Sequence, residues 1–551
     1  MPIPAPSGRL TLAAALLLGA GAAGLAAEAP ELFAPRLPGL GDHHHSVTTD
    51  VPLAQEFFDQ GLMLALGFNH AEAERSFRQA AALDPGCAMC WWGVALVLGP
   101  NINAAMSEEA VFPAWQALRR ALALRDGASE RERAYLDALA KRYRPEPVAD
   151  RAPLDEAYAA AMGEVARRYP DDLDAAVLYA EALMDTTPWS YWREDGEPKA
   201  VTTKILAALD GVLARDPAHA GANHLYIHAV EAGRPERGVG AAERLEGRVP
   251  GAGHLEHMPS HIYIRVGRYH DAVTANQRAV RADRAYVTQC HAQGVYPLAY
   301  VPHNHHFLWA AASLAGESDV AIDAAYQVAA HTAVDKLREP GLGTLQHYWA
   351  TPLYGLVRFG RWEAILEEPE PAADLLYPQG VWHYARGMAF ARTGRREEAA
   401  AELAEVTRIA ADEALESVTI WDLNTTRALM EIAREVLGGE LAAARGDGEE
   451  AIRRLERGVA LEDALNYDEP PPWHLPVRQV LGAVLLEAGR PGPAELVYRQ
   501  DLARFPENGW SLFGLARSLD VQGKAEEAAE ARARFERAWR RADVELTGSR
   551  M

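Results

Sequence analysis

The sequence predicts an all-α solenoid, a stack of antiparallel helix pairs that bury their apolar faces on one another. The first observation is a set of small, aromatic and proline residues spaced by 12, 4, 3 and 5 positions: Gly61, Ala73, Phe77, Ala80 and Pro85. The second is that Asp-Pro or Phe-Pro pairs end several such units, at residues 84–85, 216–217 and 505–506, as helix stops should. The third is that β-branched runs with a period of two residues are scarce, so no sheet is expected.

These spacings resemble the tetratricopeptide repeat, a pair of antiparallel helices of about 34 residues with small residues where the helices cross. The frame returns along most of the chain, with loop glycines at Gly267, Gly316, Gly360, Gly394, Gly489 and Gly523. Insertions near Asn101–Glu109 and Thr186–Lys199 interrupt it. We therefore expect a superhelical tetratricopeptide-repeat α-solenoid.

The repeat pattern divides the chain into five segments. Residues 1–27 are expected to be a signal peptide, and residues 28–52 a flexible leader that carries a histidine tract. Residues 53–200 hold N-terminal tetratricopeptide-like repeats, residues 201–366 hold central histidine-rich repeats, and residues 367–551 hold C-terminal repeats.

The first residues are typical of a secretory signal peptide. One positive charge, Arg9, precedes an apolar run from residue 10 to about residue 23, and small residues near Ala26 and Ala27 mark the expected cleavage point. The run is too short and too rich in Ala and Gly for a membrane anchor. We therefore expect a periplasmic or secreted protein with no membrane span in the mature chain.

The composition limits the partners of the chain. Its formal net charge of −22 argues against nucleic acid, because phosphate binding needs clustered Lys and Arg, and it is compatible with metal ions. Three cysteines in 551 residues are too few for a disulfide scaffold. The sequence has no Walker loop, no GxSxG elbow, no HExxH motif and no dinucleotide fingerprint.

Several segments resemble a widespread group of exported bacterial tetratricopeptide proteins: FNHAEAERSF, CAMCWWGVALVLGPNIN, HMPSHIYIRVGRY, PHNHHFL, RFGRW and WHYARG. This resemblance implies the repeat fold and export, and it implies no particular activity. In tetratricopeptide proteins the second, fifth and ninth positions of the first helix of each unit line the concave groove.

Six histidines fall into that groove-lining register when positions are counted back from the loop glycines: His254, His257, His261, His303, His306 and His347. Residues three, four and seven apart also share one face of a helix. The sequence therefore predicts a histidine-lined wall across three consecutive units. His224 and His228 are four apart in the preceding unit and one position off the register, so we expect them at the edge of the groove.

Two prolines complicate this register. Pro259 and Pro352 occupy the same position of their units, inside an expected helix. Because proline removes a backbone donor and clashes with the preceding turn, each helix either kinks or begins there. We favour a kink, which would open room for a ligand.

The predicted ligand of this histidine wall is copper or zinc. Neutral imidazole suits both metals, and a catalytic site uses about three protein ligands and keeps one position open. Six or more histidines supply one ion with supporting partners, or two adjacent ions. An extension of this hypothesis, which the sequence leaves open, makes the protein a metal-dependent oxidoreductase or hydrolase, with Tyr263, Tyr296 and Tyr300 as candidate proton or electron donors. In the alternative reading the histidines hydrogen-bond to one another and to backbone without any metal.

Three further interpretations stay open at this level. Cys87 and Cys90 form a CxxC sequence, which we read as a structural disulfide or as two buried thiols. The histidine tract at residues 43–45 binds copper or zinc, folds back over the groove, or is a disordered leader, of which we favour the last. The competing function is a periplasmic scaffold without metal, whose concave groove holds a protein or peptide partner.

Overall fold

The structure is a computed structural model that describes residues 32–193, 195–290 and 296–551, apart from the side chains of residues 289 and 290. The predicted signal peptide at residues 1–27 lies outside the described residues. Helices are the dominant secondary structure of the described residues, which contain only two strands of two residues each, so the predicted all-α class is confirmed.

The α-helices of the described residues are α1 Pro52–Leu66, α2 His70–Leu83, α3 Ala88–Val97, α4 Glu108–Ala123, α5 Glu130–Leu139, α6 Ala152–Arg168, α7 Leu173–Asp185, α8 Ala200–Arg215, α9 Ala220–Val230, α10 Pro235–Leu245, α11 Gly253–His257, α12 Pro259–Arg265, α13 Tyr269–Cys290, α14 Val301–Ala315, α15 Ser318–Ala330, α16 Gly343–Arg358, α17 Trp362–Glu367, α18 Leu376–Arg392, α19 Arg396–Ala410, α20 Thr426–Ala444, α21 Gly448–Asp463, α22 Val477–Glu487, α23 Pro491–Arg504, α24 Gly509–Val521 and α25 Ala525–Ala538. A π-helical turn, Tyr296–Tyr300, leads into α14. Two short strands, β1 Thr419–Ile420 and β2 Asn424–Thr425, pair antiparallel in a hairpin between α19 and α20.

Successive helices pack on one another as hairpins, which gives the tetratricopeptide-like solenoid predicted from the repeat frame. The loop glycines that set the frame end helices in the left-handed region, for example Gly267 at φ +79 and Gly316 at φ +76. Small residues lie where helices cross. A Cβ atom on Gly93 of α3 would stand 2.4 Å from the ring of Phe77 on α2.

Four connections that depart from the repeat bring residues close to the central histidines or to the helices that carry them. Two are the predicted insertions, between α3 and α4 and between α7 and α8. The third is the β1–β2 hairpin, and the fourth is the proline-rich segment at residues 464–476 between α21 and α22.

The described part of the segment before α1, where a flexible leader was expected at residues 28–52, packs against the helices. His45 is only 5% exposed, and its Nδ1 lies 2.7 Å from Oδ2 of Asp174 on α7. Its backbone N–H donates to Asp59 of α1. A buried carboxylate that accepts hydrogen bonds from this tract holds it in place.

Two further features bear on the predictions. Cys87, the N-cap residue of α3, is joined to Cys90 by a disulfide. Among the described residues, no helix combines the length and the apolar character needed to cross a membrane.

Candidate metal centre

The first group of histidines comes from two helices. His224 and His228 lie one turn apart on α9, and His254 lies on α11. Each offers a ring nitrogen within 4.8 Å of the other two. The Nε2 atoms of His224 and His254 are 3.1 Å apart. We call these three residues the first triad.

The second group comes from three helices. His257 ends α11, His261 lies on α12 and His303 lies on α14, and their ring nitrogens again lie within 4.8 Å of one another. The Nε2 atoms of His257 and His261 are 2.8 Å apart. We call these three residues the second triad.

The two triads are neighbours. The ring centroids of His228 and His261 are 5.6 Å apart, and those of His254 and His257 are 5.9 Å apart. The ring centroids of His257 and His261, within the second triad, are 4.7 Å apart. The six rings therefore form one continuous cluster with two foci, in which every residue except the partly exposed His303 is buried.

Pro259 marks the bend that lets one chain segment serve both triads. α11 ends at His257, α12 begins at Pro259, and Met258 between them keeps helical dihedrals of φ −51 and ψ −38. The segment is therefore kinked rather than unwound. Pro352 differs, because it lies inside the uninterrupted helix α16.

Oxygen acceptors fix the ring orientation in each triad. In the first triad, His224 Nδ1 donates to the backbone oxygen of Leu66 at 2.6 Å, and His228 Nδ1 donates to Glu231 Oε1 at 2.7 Å. Leu66 is the last residue of α1, where backbone oxygens lack helical partners. With the hydrogen on Nδ1, the Nε2 lone pair of each ring is free to bind a metal.

The second triad is oriented in the same way. His257 Nδ1 donates to Asn276 Oδ1 at 2.6 Å, and His261 Nδ1 donates to Glu231 Oε2. Asn276 Nδ2 donates to the backbone oxygen of Ala272, so the orientation of the Asn276 amide is fixed. Two Nε2 lone pairs therefore face each other across 2.8 Å, an arrangement that is repulsive unless a cation or a proton lies between them.

Other nitrogens of the cluster lack hydrogen-bond partners. His228 Nε2, His254 Nδ1 and His303 Nδ1 are buried without an acceptor or donor. Buried polar atoms in proteins are nearly always bonded, so these ring nitrogens are candidate ligand atoms.

The electrostatics keep most of these rings neutral, which is the form that binds metals. Burial lowers the pKa values of His224, His254 and His257 well below that of an ordinary histidine, and it lowers the pKa of His303 to about 3. His261 is the exception: burial acts to lower its pKa, but the carboxylate of Glu231 raises it above the ordinary value.

Glu231 is an ionised carboxylate at this site. Its burial alone would raise its pKa, but the interactions with His261 and His228 hold the pKa below that of an ordinary glutamate. It therefore supplies one full negative charge to the cluster.

Three strained aromatic residues surround the cluster. Phe68, Trp189 and Trp421 have φ values of +57, +59 and +51, a region that bulky residues rarely occupy. The ring centroid of Phe68 lies 4.5 Å from that of His224, and Trp189 lies 5.2 Å from His228. Trp421, at the tip of the β1–β2 hairpin, lies 6.3 Å from His303. Backbone strain of this kind is concentrated at functional sites.

His306 and His347 do not belong to either triad, so the predicted wall of six groove histidines is not a single group. Their rings form a separate pair, with centroids 5.3 Å apart, and His347 Nδ1 lies 2.7 Å from the hydroxyl of Tyr377. Residues three apart on a helix are about 60° apart around its axis. On α14 this turns His303 toward α11 and α12 and His306 toward α16.

His224 and His228 contribute more than predicted. Both were expected at the edge of the groove, and both are members of the first triad. Sequence reasoning missed Glu231, although its position three residues after His228 is a spacing that brings side chains together on a helix. Asn276 and Phe68 carry no such local signal, because they come from distant helices and loops.

The three candidate tyrosines lie at different distances from the cluster. Tyr300 is adjacent, with its ring centroid 5.0 Å from that of His254, and its hydroxyl accepts from Asn103 in the first insertion. The hydroxyl of Tyr296 accepts from the backbone N–H of His254 at 3.1 Å. The hydroxyl of Tyr263 donates to Glu246, away from the triads.

A second group of histidines and carboxylates lies beside α7. His43, His45 and His219 all surround Asp174 within 3.2 Å. The backbone N–H of Ala222 donates to His219 Nδ1, so in the neutral ring the hydrogen is on Nε2 and points at Asp174. Hydrogen bonds from His45 and His219, and a 3.0 Å contact of His43 Nε2, therefore connect Asp174 to its neighbours and attach the N-terminal segment to α7.

The fold and the two triads define an all-α repeat solenoid with a buried six-histidine centre. No protein-family profile and no curated protein sequence matches the chain. Among solved structures, the chain is similar to the Cut9–Hcn1 hetero-tetramer of the APC/C, at 14% identity and a TM-score of 0.30 over 86% of this chain and 78% of that chain. It is also similar to a human IFIT1 dimer with m7Gppp-AAAA, at 12% identity and a TM-score of 0.29 over 90% of this chain and 92% of that chain. A third is the tetratricopeptide domain of P58(IPK), at 11% identity and a TM-score of 0.22 over 86% of this chain and 99% of that chain.

Proposed function

We propose that this protein is an exported solenoid that binds two transition-metal ions, copper or zinc, one in each histidine triad. The observation that carries the proposal is the pair of Nε2 lone pairs of His257 and His261, which face each other across 2.8 Å. Each ring has its other nitrogen bonded to an oxygen acceptor, so neither is free to turn away.

A hydrogen-bonded core without metal accounts for the cluster less well. A proton shared by His257 and His261 would relieve that one contact. It would leave His228 Nε2, His254 Nδ1 and His303 Nδ1 without partners. Two ions, each bound by three nitrogens, use the inward lone pairs of both triads and place positive charge next to Glu231.

The scaffold alternative requires a free concave face. The segment between α21 and α22 already covers part of the face formed by the first helices of the repeats. Its Glu469 lies 3.7 Å from Arg265 on α12, and its His474 stacks on Tyr354 of α16 with ring centroids 4.4 Å apart. Trp473 of the same segment packs against Tyr384 on α18. We therefore favour the metal-binding function.

Metal analysis of the full-length protein, purified without an affinity tag, tests the proposal. We expect about two copper or zinc ions per chain. The double variant His257→Ala/His261→Ala should lose the ion of the second triad and retain that of the first, with an unchanged far-UV helical signal. Loss of one ion and retention of the other would show that the two triads are independent sites.

The matched control is the double variant His306→Ala/His347→Ala, which removes two buried histidines outside both triads. It should keep the full metal content. A protein whose metal content stays near zero, and whose thermal stability ignores both chelator and added metal, would contradict the proposal and favour the scaffold.

A further inference from the structure

We propose that the two triads hold a pair of copper ions that bind one molecule of dioxygen between them. This inference rests on the proposed function, because it requires both metal ions. It adds the identity of the metal and the class of substrate.

The donor set favours copper. Each triad offers three ring nitrogens and no carboxylate oxygen. The nearest carboxylate, Glu231, uses its two oxygens to accept from His228 and His261, so neither oxygen is directed at a metal. Iron and manganese pairs in helical proteins use bridging glutamates. A site built from imidazoles alone suits zinc, nickel and copper, and of the divalent first-row metals copper binds such a site most tightly.

The triads are close enough to share one ligand. The two inner rings of the first triad, His228 and His254, lie against the two inner rings of the second, His261 and His257, at 5.6 and 5.9 Å between centroids. Three protein ligands leave each ion with an open position. Two such positions in neighbouring sites fit a small ligand with two donor atoms.

The surroundings favour a neutral, apolar ligand over a charged one. Phe307 is fully buried, and its ring centroid lies 4.6, 4.5 and 5.3 Å from those of His257, His261 and His303. Phe68 covers the rings of the first triad. Such an enclosure excludes water and strengthens the interactions inside it.

The redox step balances with groups that the proposal names. Each Cu(I) ion gives one electron to dioxygen, which takes up two electrons and becomes a peroxide dianion, while both ions become Cu(II). The O–O double bond is reduced to a single bond, and no proton is needed until peroxide leaves with two protons as hydrogen peroxide. A two-electron organic reductant such as ascorbate, which is oxidised to dehydroascorbate, returns both ions to Cu(I).

Oxygen uptake by the copper-loaded full-length protein tests the inference. The protein is reduced with ascorbate without oxygen, freed of excess reductant, and mixed with a known amount of dioxygen. We expect one dioxygen consumed per two copper ions, a new near-ultraviolet absorption band, and one hydrogen peroxide released per two copper ions on acidification. Zinc-loaded protein should consume none.

Variants separate this inference from the metal-binding proposal. His303→Ala should leave one copper per chain and reduce oxygen uptake at least tenfold. If that variant fails to fold, His224→Ala in the first triad provides the same test. His306→Ala, outside both triads, should retain the full uptake. Protein that binds two copper ions but consumes no dioxygen, or that binds zinc and refuses Cu(I), would overturn the dioxygen inference while the metal-binding proposal stands. Protein that binds no metal would overturn both.

Discussion

At the scale of single residues, the two oxygens of Glu231 connect the triads. Oε1 accepts from His228 in the first triad, and Oε2 accepts from His261 in the second. Each hydrogen bond places the ring hydrogen on Nδ1 and leaves Nε2 free for a metal. One carboxylate therefore sets the tautomer of a ligand in both sites.

We expect Glu231→Gln to weaken one of the two metal sites. A glutamine offers one oxygen acceptor and one NH2 donor, so one of the two histidines must receive a hydrogen bond at Nδ1 and carry its own hydrogen on Nε2, where it cannot bind a metal. Loss of such a supporting hydrogen bond reduces metal affinity by about 10- to 100-fold. Competition with a chelator should show one ion removed easily and one retained.

The matched control is Glu256→Gln. Glu256 is also buried and lies on α11 between His254 and His257, but its carboxylate pairs with Arg278 and not with a histidine of either triad. Its variant should keep both ions at the affinity of the original protein. Equal weakening by both substitutions would show that Glu231 acts only through general stability.

At the scale of secondary-structure elements, small residues set how closely helices cross. Gly93 of α3 lies on Phe77 of α2, where a Cβ atom would stand 2.4 Å from the phenyl ring. Gly211 of α8 is also a helix-interior glycine, but no other side chain or distant backbone lies within 4 Å of its Cβ position. The two residues therefore offer a matched pair.

We expect Gly93→Ala to destabilise the fold and Gly211→Ala to stabilise it slightly. The first forces Phe77 out of place, at a cost of about 1–3 kcal/mol for overpacking. The second gains about 1 kcal/mol, because alanine favours the helix over glycine. Urea midpoints followed by the far-UV helical signal measure both changes. An unchanged urea midpoint for Gly93→Ala would show that α2 and α3 pack less tightly at this crossing than the structure indicates.

The connections between helices show which features of the site could not be predicted from the sequence. The glycine and alanine spacings predicted the helix pairs. The histidine register predicted the contributions of α11, α12 and α14, but it also included α16 and placed α9 only at the edge of the groove. Which rings contact one another depends on the kink at Pro259 and on the angle of about 60° around the axis of α14 that separates His303 from His306. The repeat register predicts neither. Trp189 and Trp421 reach the cluster from an insertion and from a hairpin, so no periodic pattern places them.

At the scale of the whole molecule, the solenoid buries many neutral histidines, and this couples its stability to pH. His347 on α16 shows the effect outside the metal ligands. It is 1% exposed, and burial lowers its pKa to about 3. In the unfolded chain a histidine titrates near 6.5. The folded state therefore binds fewer protons than the unfolded state between these values.

We expect the metal-free protein to lose stability as the pH falls below about 6.5. Above that pH both states carry neutral His347 and its contribution is fully present. Below it, protonation of His347 in the unfolded chain lowers the free energy of unfolding, with a slope that reaches about 1.4 kcal/mol per pH unit by about pH 5.5 and ends near the folded pKa. Urea midpoints in the presence of a chelator at pH 7.5, 6.5 and 5.5 measure the loss.

The variant His347→Asn isolates the contribution of His347, because asparagine does not titrate. Its stability at pH 7.5 should be lower, since the hydrogen bond to Tyr377 is changed. Its loss between pH 6.5 and pH 5.5 should be smaller than that of the original protein by about 1 kcal/mol, because the unfolded histidine is already half protonated at pH 6.5. An unchanged pH dependence would mean that His347 is accessible to protons in the folded solenoid, and that the space beside Tyr377 is hydrated rather than dry.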